Sequence, residues 1–322
     1  MTKKRIAIIG GGPAAMSAAA YAQEHVETLL FTDKPGGQIT ASNEVNNWLG
    51  MPGLTGQELA DRWFSHVKKS SVDLRHGEFI ESVQKESEDV YTLITDIGDA
   101  YTANGLLVAT GADYRKLSVP GEAENHVFRC AICDGAKFKN GRAIVIGGGD
   151  AANQVVRALV KEQNCHTTQL IRKDQLRGQG DIVQDVRQLP SDMYKIIKNS
   201  QVIELRGDGI AKEVVYQAGS EQNTLYADGV FVNIGLVPAS SLVEHLVTLN
   251  QKGEIMVDPT TMAACSGIYA AGDVCDGDKY KQAIIAAGQG ARAMLELIKW
   301  VLGEVYQSPC DTNQNMEGGK DV

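Results

Sequence analysis

The 322-residue chain lacks any apolar run near the ~18 residues that a membrane-spanning helix needs. It is also short of positive charge. Its 31 lysines and arginines face 40 acids, and the resulting formal net charge of −9 at pH 7 disfavours nucleic acid and anionic membranes as partners. An acidic surface suits dissolved protein partners without naming one. Cysteine is sparse: the six, at 130, 133, 165, 265, 275 and 310, contain one close pair. That excludes a disulfide-stapled secreted scaffold and makes a reducing cytoplasm the expected compartment. The beginning of the chain does not read as a signal peptide either. After the basic stretch Met1–Arg5, only four apolar residues precede Gly10-Gly11-Gly12, the pattern of a strand running into a turn. No linker rich in proline, serine or charge divides the chain, so domain boundaries have to come from internal repetition.

The repetition is plain. Lys4–Ile9 is an apolar strand followed by Gly10-Gly11-Gly12-Pro13-Ala14-Ala15 and an alanine-rich helix. Arg142–Ile146 repeats the pattern, followed by Gly147-Gly148-Gly149-Asp150-Ala151-Ala152 and a second helix. Each is a strand, glycine loop and helix of the dinucleotide-binding kind. Val90–Ile94, Leu106–Ala109, Gly229–Ile234, Gly253–Val257 and Gly267–Ala270 read as further strands, and a long helix runs from about Gln282 to Val301. The fold class is therefore α/β with two Rossmann-like dinucleotide-binding domains. The second occupies about 117–245 and is inserted into a discontinuous first, 1–116 with 246–303. The stretch 304–322 has few apolar residues and reads as a flexible tail.

In the first loop Gly10 suits a tight turn, Gly12 a close backbone approach to a pyrophosphate, and Ala15 close helix packing. The unpaired N–H groups at the helix start then face the phosphate. Asp33 follows Gly12 by about 20 residues, where an acid accepts hydrogen bonds from a ribose. The second loop has no acid at that offset. Arg172, Lys173 and Arg177 cluster there instead, a set of cations that suits an adenosine 2′-phosphate and so NADPH over NADH. A solvated basic patch is the competing reading, and Asp174 inside the cluster is placed to take the ribose role.

Cys130-Ala131-Ile132-Cys133-Asp134-Gly135 carries the redox chemistry. Two thiols at this spacing close a small disulfide ring, and a helix start lowers a thiol pKa. Asp134 is adjacent and is a candidate to move a proton to or from a leaving thiol. A zinc site would need a second pair of ligands; His126 is near, but the other cysteines are scattered singly, so no metal is assigned. Cys165, Cys265 and Cys275 lie among apolar or small residues and read as packing residues. Cys310 reads either as a third redox thiol or as a chance cysteine of the tail. Trp48, Trp63 and Trp300 read as packing or cofactor-neighbouring residues.

From Arg5 to about Gly303 the chain resembles the low-molecular-weight thioredoxin reductases. Cys130–Gly135 matches that family's Cys-Ala-x-Cys-Asp-Gly signature, placed just before the second glycine loop. Gly36-Gly37-Gln38-Ile39-Thr40, Asn47-Trp48, Ala109-Thr110-Gly111-Ala112, Ala271-Gly272-Asp273-Val274 and Lys281-Gln282-Ala283 resemble its FAD-contacting segments, and Gly235 with Pro238 its Gly-x-x-Pro turn. The larger flavoprotein disulfide reductases keep their cysteines in the FAD domain and add a dimerisation domain; neither feature is present. The resemblance implies FAD held by Gly10, Gly12, Pro13, Ala14, Ala15, Asp33, Gly37, Gln38, Asn47, Thr110, Gly111, Asp273, Lys281, Gln282 and Ala283. It implies NADPH held by Gly147, Gly149, Asp150, Ala152, Arg172, Lys173 and Arg177. Cys133 would face the flavin, Cys130 would attack the substrate, and the protein would be a homodimer.

Three departures stand out. The family's His-Arg-Arg-x-x-x-Arg is Ile171-Arg172-Lys173-x-x-x-Arg177, Arg-Gln-Ala is Lys281-Gln282-Ala283, and the tail, with Tyr306 and Cys310, is longer than expected. The expected activity passes electrons from NADPH through FAD and the Cys130–Cys133 disulfide to a thioredoxin-like protein disulfide. Because the dithiol and the nicotinamide site share a domain while both must reach one flavin, that domain is expected to rotate between two poses. The weakened basic motif and the longer tail favour an alternative, a sister enzyme fed by ferredoxin, its second site empty or holding another dinucleotide. A dithiol oxidase and a non-catalytic redox sensor are further alternatives.

Overall fold

The computed structural model describes residues 3–304 except 23, 25, 43, 88, 179 and 279, and at 132 and 133 it describes the backbone alone. The chain divides into two compact units, Met1–Asp113 with Val237–Val322 and Tyr114–Leu236. The second therefore closes at Leu236 and not at 245, because Leu242, Val243 and Leu246 pack into the first unit's core.

The first unit is built on a six-stranded sheet in the order Ala263–Cys265, Ile268–Ala270, Gly105–Val108, Arg5–Ile9, Glu27–Thr32, Asp73–His76. All neighbours run parallel except the first two, which are antiparallel. A parallel sheet is covered on both faces, which is why its central strand reads as an unbroken apolar run with Ile6, Ala7 and Ile8 fully buried. The helices Pro13–Ala20 and Ala283–Val301 pack against each other over this sheet. Their closeness depends on Gly290, where a Cβ would lie 2.0 Å from the Ala14 carbonyl oxygen. A three-stranded antiparallel sheet, Ile80–Ser87, Val90–Thr95 and Ala100–Ala103, completes the unit.

The second unit repeats the plan on a smaller scale. Its parallel sheet runs Tyr194–Ile197, His166–Leu170, Arg142–Ile146, Gly229–Val232, beside an antiparallel sheet of Ser200–Gly207, Ala211–Ala218 and Glu221–Tyr226. Both glycine-loop strands thus sit inside a parallel sheet with strands on either side, and both loops leave the carboxyl end of their strand, where doubly wound folds bind ligands. The strand expected at Gly253–Val257 does not form. Gly253 has φ +81°, and the Asn250 side chain accepts from the backbone N–H of Lys252 and Glu254, so turn chemistry prevails and only isolated bridges through Ile255 remain.

Candidate active site

The two glycine loops are built alike. Gly10 and Gly147 have φ +133° and +134°, and a Cβ on either would lie 2.2 Å from the Ala109 or 2.1 Å from the Asn233 carbonyl oxygen. Gly10 N–H donates to Phe31 O and Gly147 N–H to Leu170 O, each at 3.0 Å. Gly12 and Gly149 are the N-caps of their helices, both extended, and a Cβ on either meets nothing within 4 Å. Neither helix has a side-chain cap, whereas the helix Gly56–Val67 carries a full capping box of Thr55 and Glu58. Neither N-cap side chain therefore satisfies the first-turn N–H groups, and the positive end of the helix dipole lies behind each loop.

A second crossing completes each loop. Gly36 N–H donates to Gly11 O at 2.6 Å, and Arg177 N–H donates to Gly148 O at 2.8 Å. A Cβ at Gly11 would meet Thr32 Oγ1, and one at Gly148 would meet the Ile171 side chain, so Thr32 and Ile171 occupy equivalent places. The residues that follow them are Asp33 and Arg172. One fold position thus carries an acid in the first unit and a base in the second, the difference that separates a ribose-binding from a phosphate-binding edge. Asp33, Arg172, Lys173 and Arg177 are all exposed, and among the described residues no hydrogen bond or ion pair engages the three cationic side chains.

The remaining residues expected at the first site gather from three stretches of that unit. Asn47 Nδ2 donates to Gln282 Oε1 at 3.0 Å. Gln282 is the N-cap of the helix that begins at Ala283, and it too makes no side-chain cap bond. Thr110 Oγ1 donates to the Ala239 carbonyl at 2.6 Å, and Ala239 N–H returns a bond to Gly111 O. Gly37 and Gln38 start a short 3-10 helix, and a Cβ at Gly37 would lie 3.1 Å from the Gly12 Cα. Burial pushes the Asp273 carboxyl up, with Lys281 drawing it the other way and Glu254 adding to the rise. The Lys281 ammonium is itself taken up by Glu254 Oε1 at 3.0 Å and the Cys275 carbonyl at 2.6 Å. In the second unit Asp150 opens the helix after Gly149 and lies against Gly178, and Ala152 is fully buried beneath the loop.

The dithiol segment lies in the second unit. Cys130 is half-buried and disulfide-bonded; the Cys133 side chain is outside the described ones. The short helix Ala131–Asp134 closes with Asp134 N–H donating to Cys130 O at 3.0 Å. The Asp134 side chain is buried and pairs with Lys137 Nζ at 2.8 Å. Phe128, Phe138 and Phe231 form an aromatic cluster with centroids 4.9–5.4 Å apart, and Phe128 bridges to the Gly229–Val232 strand. The cluster therefore roots the dithiol turn in the sheet. Cys165 and Cys275 are buried free thiols, and burial pushes both up to about 11, which keeps them protonated and unreactive near neutrality; Cys265 Sγ donates to the Leu246 carbonyl. Tyr306 and Cys310 lie outside the described residues.

From residue 4 to 290 the chain matches the pyridine nucleotide-disulphide oxidoreductase family. The chain belongs to that family. It is 34% identical over 304 residues to a thioredoxin reductase of Listeria monocytogenes, covering 92% of this chain and 93% of that protein. A thioredoxin reductase of Neurospora crassa is 33% identical over 326 residues, covering 95% and 96%. Among solved structures, a thioredoxin reductase from Streptococcus pyogenes superposes with a TM-score of 0.77 at 30% identity, covering 94% of this chain and all of that one. The chain is accordingly a flavin disulfide oxidoreductase of the thioredoxin reductase kind, and FAD and NADPH are the cofactors of its family.

Both cofactors fit residues present here. At the first loop the open side of Gly12, the uncapped helix N-terminus and the buried, unpartnered Thr32 Oγ1 beside Gly11 suit a flavin dinucleotide. At the second, the open side of Gly149 and the unengaged cations suit a phosphorylated pyridine nucleotide.

Several residues of these sites escaped the sequence reading. Gln289 accepts from Gly272 N–H at 2.8 Å in the middle of the long helix, and buried Glu254 holds Lys281. Asn153, Gln169 and Tyr194 form a bonded group under the second loop. Two glycines inside the long helical pattern, Gly288 and Gly290, are the visible signals of a close approach, which occurs at Gly290 and not at Gly288, where a Cβ would meet nothing within 4 Å.

Proposed function

We propose that the protein reduces the disulfide of a thioredoxin, with NADPH as donor, through FAD and the Cys130–Cys133 dithiol. One observation carries the reading: a disulfide-bonded Cys130 stands in the same compact unit as a glycine loop whose acid position is taken by Arg172. Gly147, Gly149, Asp150 and Ala152 would receive the pyrophosphate at the helix start, and Arg172, Lys173 and Arg177 the 2′-phosphate. Gly10 to Ala15, Asp33, Gly37, Gln38, Asn47, Thr110, Gly111, Asp273 and Lys281 to Ala283 would hold the flavin dinucleotide. Bound FAD supplies the two-electron relay between the nicotinamide and the Cys130–Cys133 disulfide.

The protein's own residues then carry the exchange. The Cys130 thiolate attacks one sulfur of the substrate disulfide, and the other substrate sulfur leaves as a thiolate. The Cys133 thiolate attacks Cys130 Sγ, restoring the Cys130–Cys133 disulfide and releasing the second substrate thiolate. Asp134 moves the proton that each leaving thiolate gains. The balance is NADPH, one proton and a disulfide giving NADP⁺ and a dithiol. The proposal includes a homodimer working in the cytoplasm. Ferredoxin as donor gains no support from the relatives.

The test is steady-state consumption of NADPH with oxidised thioredoxin, run beside NADH and reduced ferredoxin. Turnover with NADPH is the expected result. No turnover with NADPH, together with turnover on reduced ferredoxin, would sink the reading.

A further inference from the structure

Beneath the second glycine loop lies a buried group of bonded side chains. Gln169, in the strand His166–Leu170, and Asn153, in the first turn of the helix Asp150–Gln163, are both fully buried. Gln169 Nε2 donates to the Gly147 carbonyl at 2.9 Å and to Asn153 Oδ1 at 3.1 Å, while its Oε1 accepts from the Tyr194 hydroxyl. Asn153 Nδ2 donates to the Arg177 carbonyl at 2.9 Å. The two backbone carbonyls only accept, so the orientation of both amides follows from their partners. Burying amides is costly unless they are paired, and a fully paired network holds one geometry.

The fold itself does not ask for these amides. Asn153 N–H bonds to Gly149 O as Met16 N–H bonds to Gly12 O, both at 3.0 Å. Gln169 precedes Leu170, whose carbonyl takes Gly147 N–H, as Leu30 precedes Phe31, whose carbonyl takes Gly10 N–H. The equivalents of Asn153 and Gln169 in the first unit are thus Met16 and Leu30, both buried and apolar. What the second unit has in addition is a basic loop to hold. Arg177 is fixed there at both backbone groups, its N–H on Gly148 O and its C=O on Asn153, while its guanidinium stays exposed.

We propose that Gln169 and Asn153, with Tyr194 behind them, are positioning residues that set the preference for a 2′-phosphorylated nucleotide by holding Arg177 at the glycine loop. Preorganising a charge spares the ligand the ordering cost at the moment of binding. This rests on the NADPH reading given above. The test is calorimetric binding of 2′,5′-ADP and 5′-AMP to the full-length protein and to the Asn153→Met, Gln169→Leu, Tyr194→Phe triple variant. Replacing all three side chains by apolar ones of similar shape removes the network without stranding a buried polar side chain, and only the Gly147 and Arg177 carbonyls lose a donor. The triple variant should lose about tenfold or more in affinity for 2′,5′-ADP and stay within about twofold for 5′-AMP. Should it not fold, Tyr194→Phe alone carries the test, with an expected selective loss of about threefold. Equal loss for both nucleotides, or no loss for either, overturns the inference. Wild-type protein that binds the two nucleotides equally overturns the NADPH reading, and the inference with it.

Discussion

The side-chain amides of Asn47 and Gln282, 235 residues apart in the chain, meet at 3.0 Å. Through them the two separated stretches of the first unit share one polar contact at the start of an uncapped helix. The contact is exposed, so its own weight in stability is small. Its value lies in fixing the entrance to the N-terminus at Ala283, where a bound dinucleotide would find free N–H groups. Gln282→Ala should therefore leave the melting temperature of the apoprotein nearly unchanged and weaken FAD about tenfold, read by fluorescence titration of apoprotein with FAD.

Lys281 is expected to act on stability more than on the cofactor. Burial alone would raise Glu254, but the Asn250 amide and the Lys281 ammonium outweigh it and hold the carboxyl below its ordinary 4.5. A depressed folded value means that the stabilisation is fully present above the unfolded value and is lost as pH falls through the folded one. Lys281→Met leaves the buried carboxylate with the Asn250 amide but without its cation. Its melting temperature should fall clearly below wild type at pH 7, and the gap should narrow as the pH is lowered past about 4.5. A gap independent of pH would show that Lys281 acts through packing alone.

The two cysteines should separate in a trapping experiment. Cys133→Ser leaves Cys130 free to attack but removes the thiol that resolves the adduct. Mixed with a thioredoxin that keeps a single active-site cysteine activated as a mixed disulfide, it should accumulate a covalent complex visible on non-reducing gels. Cys130→Ser should not. Asp134→Asn should slow dithiol–disulfide exchange by a factor on the order of 10²–10⁴ while FAD content is retained. Unchanged turnover would leave Asp134 a structural residue, paired with Lys137.

Removing two of the three cations tests the donor directly. Arg172→Ala with Arg177→Ala should raise the KM for NADPH by at least about tenfold and leave that for NADH nearly unaltered. Lys173 remains as a point charge where the related motif has a forked guanidinium, so some preference for NADPH should survive. A parallel rise in both KM values would mean that the arginines serve the loop and not the 2′-phosphate.

The elements legible without a structure are those whose signal is local. A strand, three glycines and a helix start lie within about 15 residues, and the spacing of Cys130 and Cys133 is shorter still. The acid at 33 and the bases at 172, 173 and 177 are read by counting from those loops. Even the long helix ending at Val301 announces itself by composition. Tertiary structure alone decided what depends on partners far apart in sequence. It closed the second unit at Leu236 by drawing Val243 into the other core, dissolved the strand expected at 253–257 into a turn, and paired Glu254 with Lys281. It also placed Gln169 between Tyr194 and Asn153 under the Arg177 backbone. An isolated glutamine in a strand or asparagine in a helix carries no mark of its partner. The cost of burying an amide unpaired is felt only once the chain has folded around it.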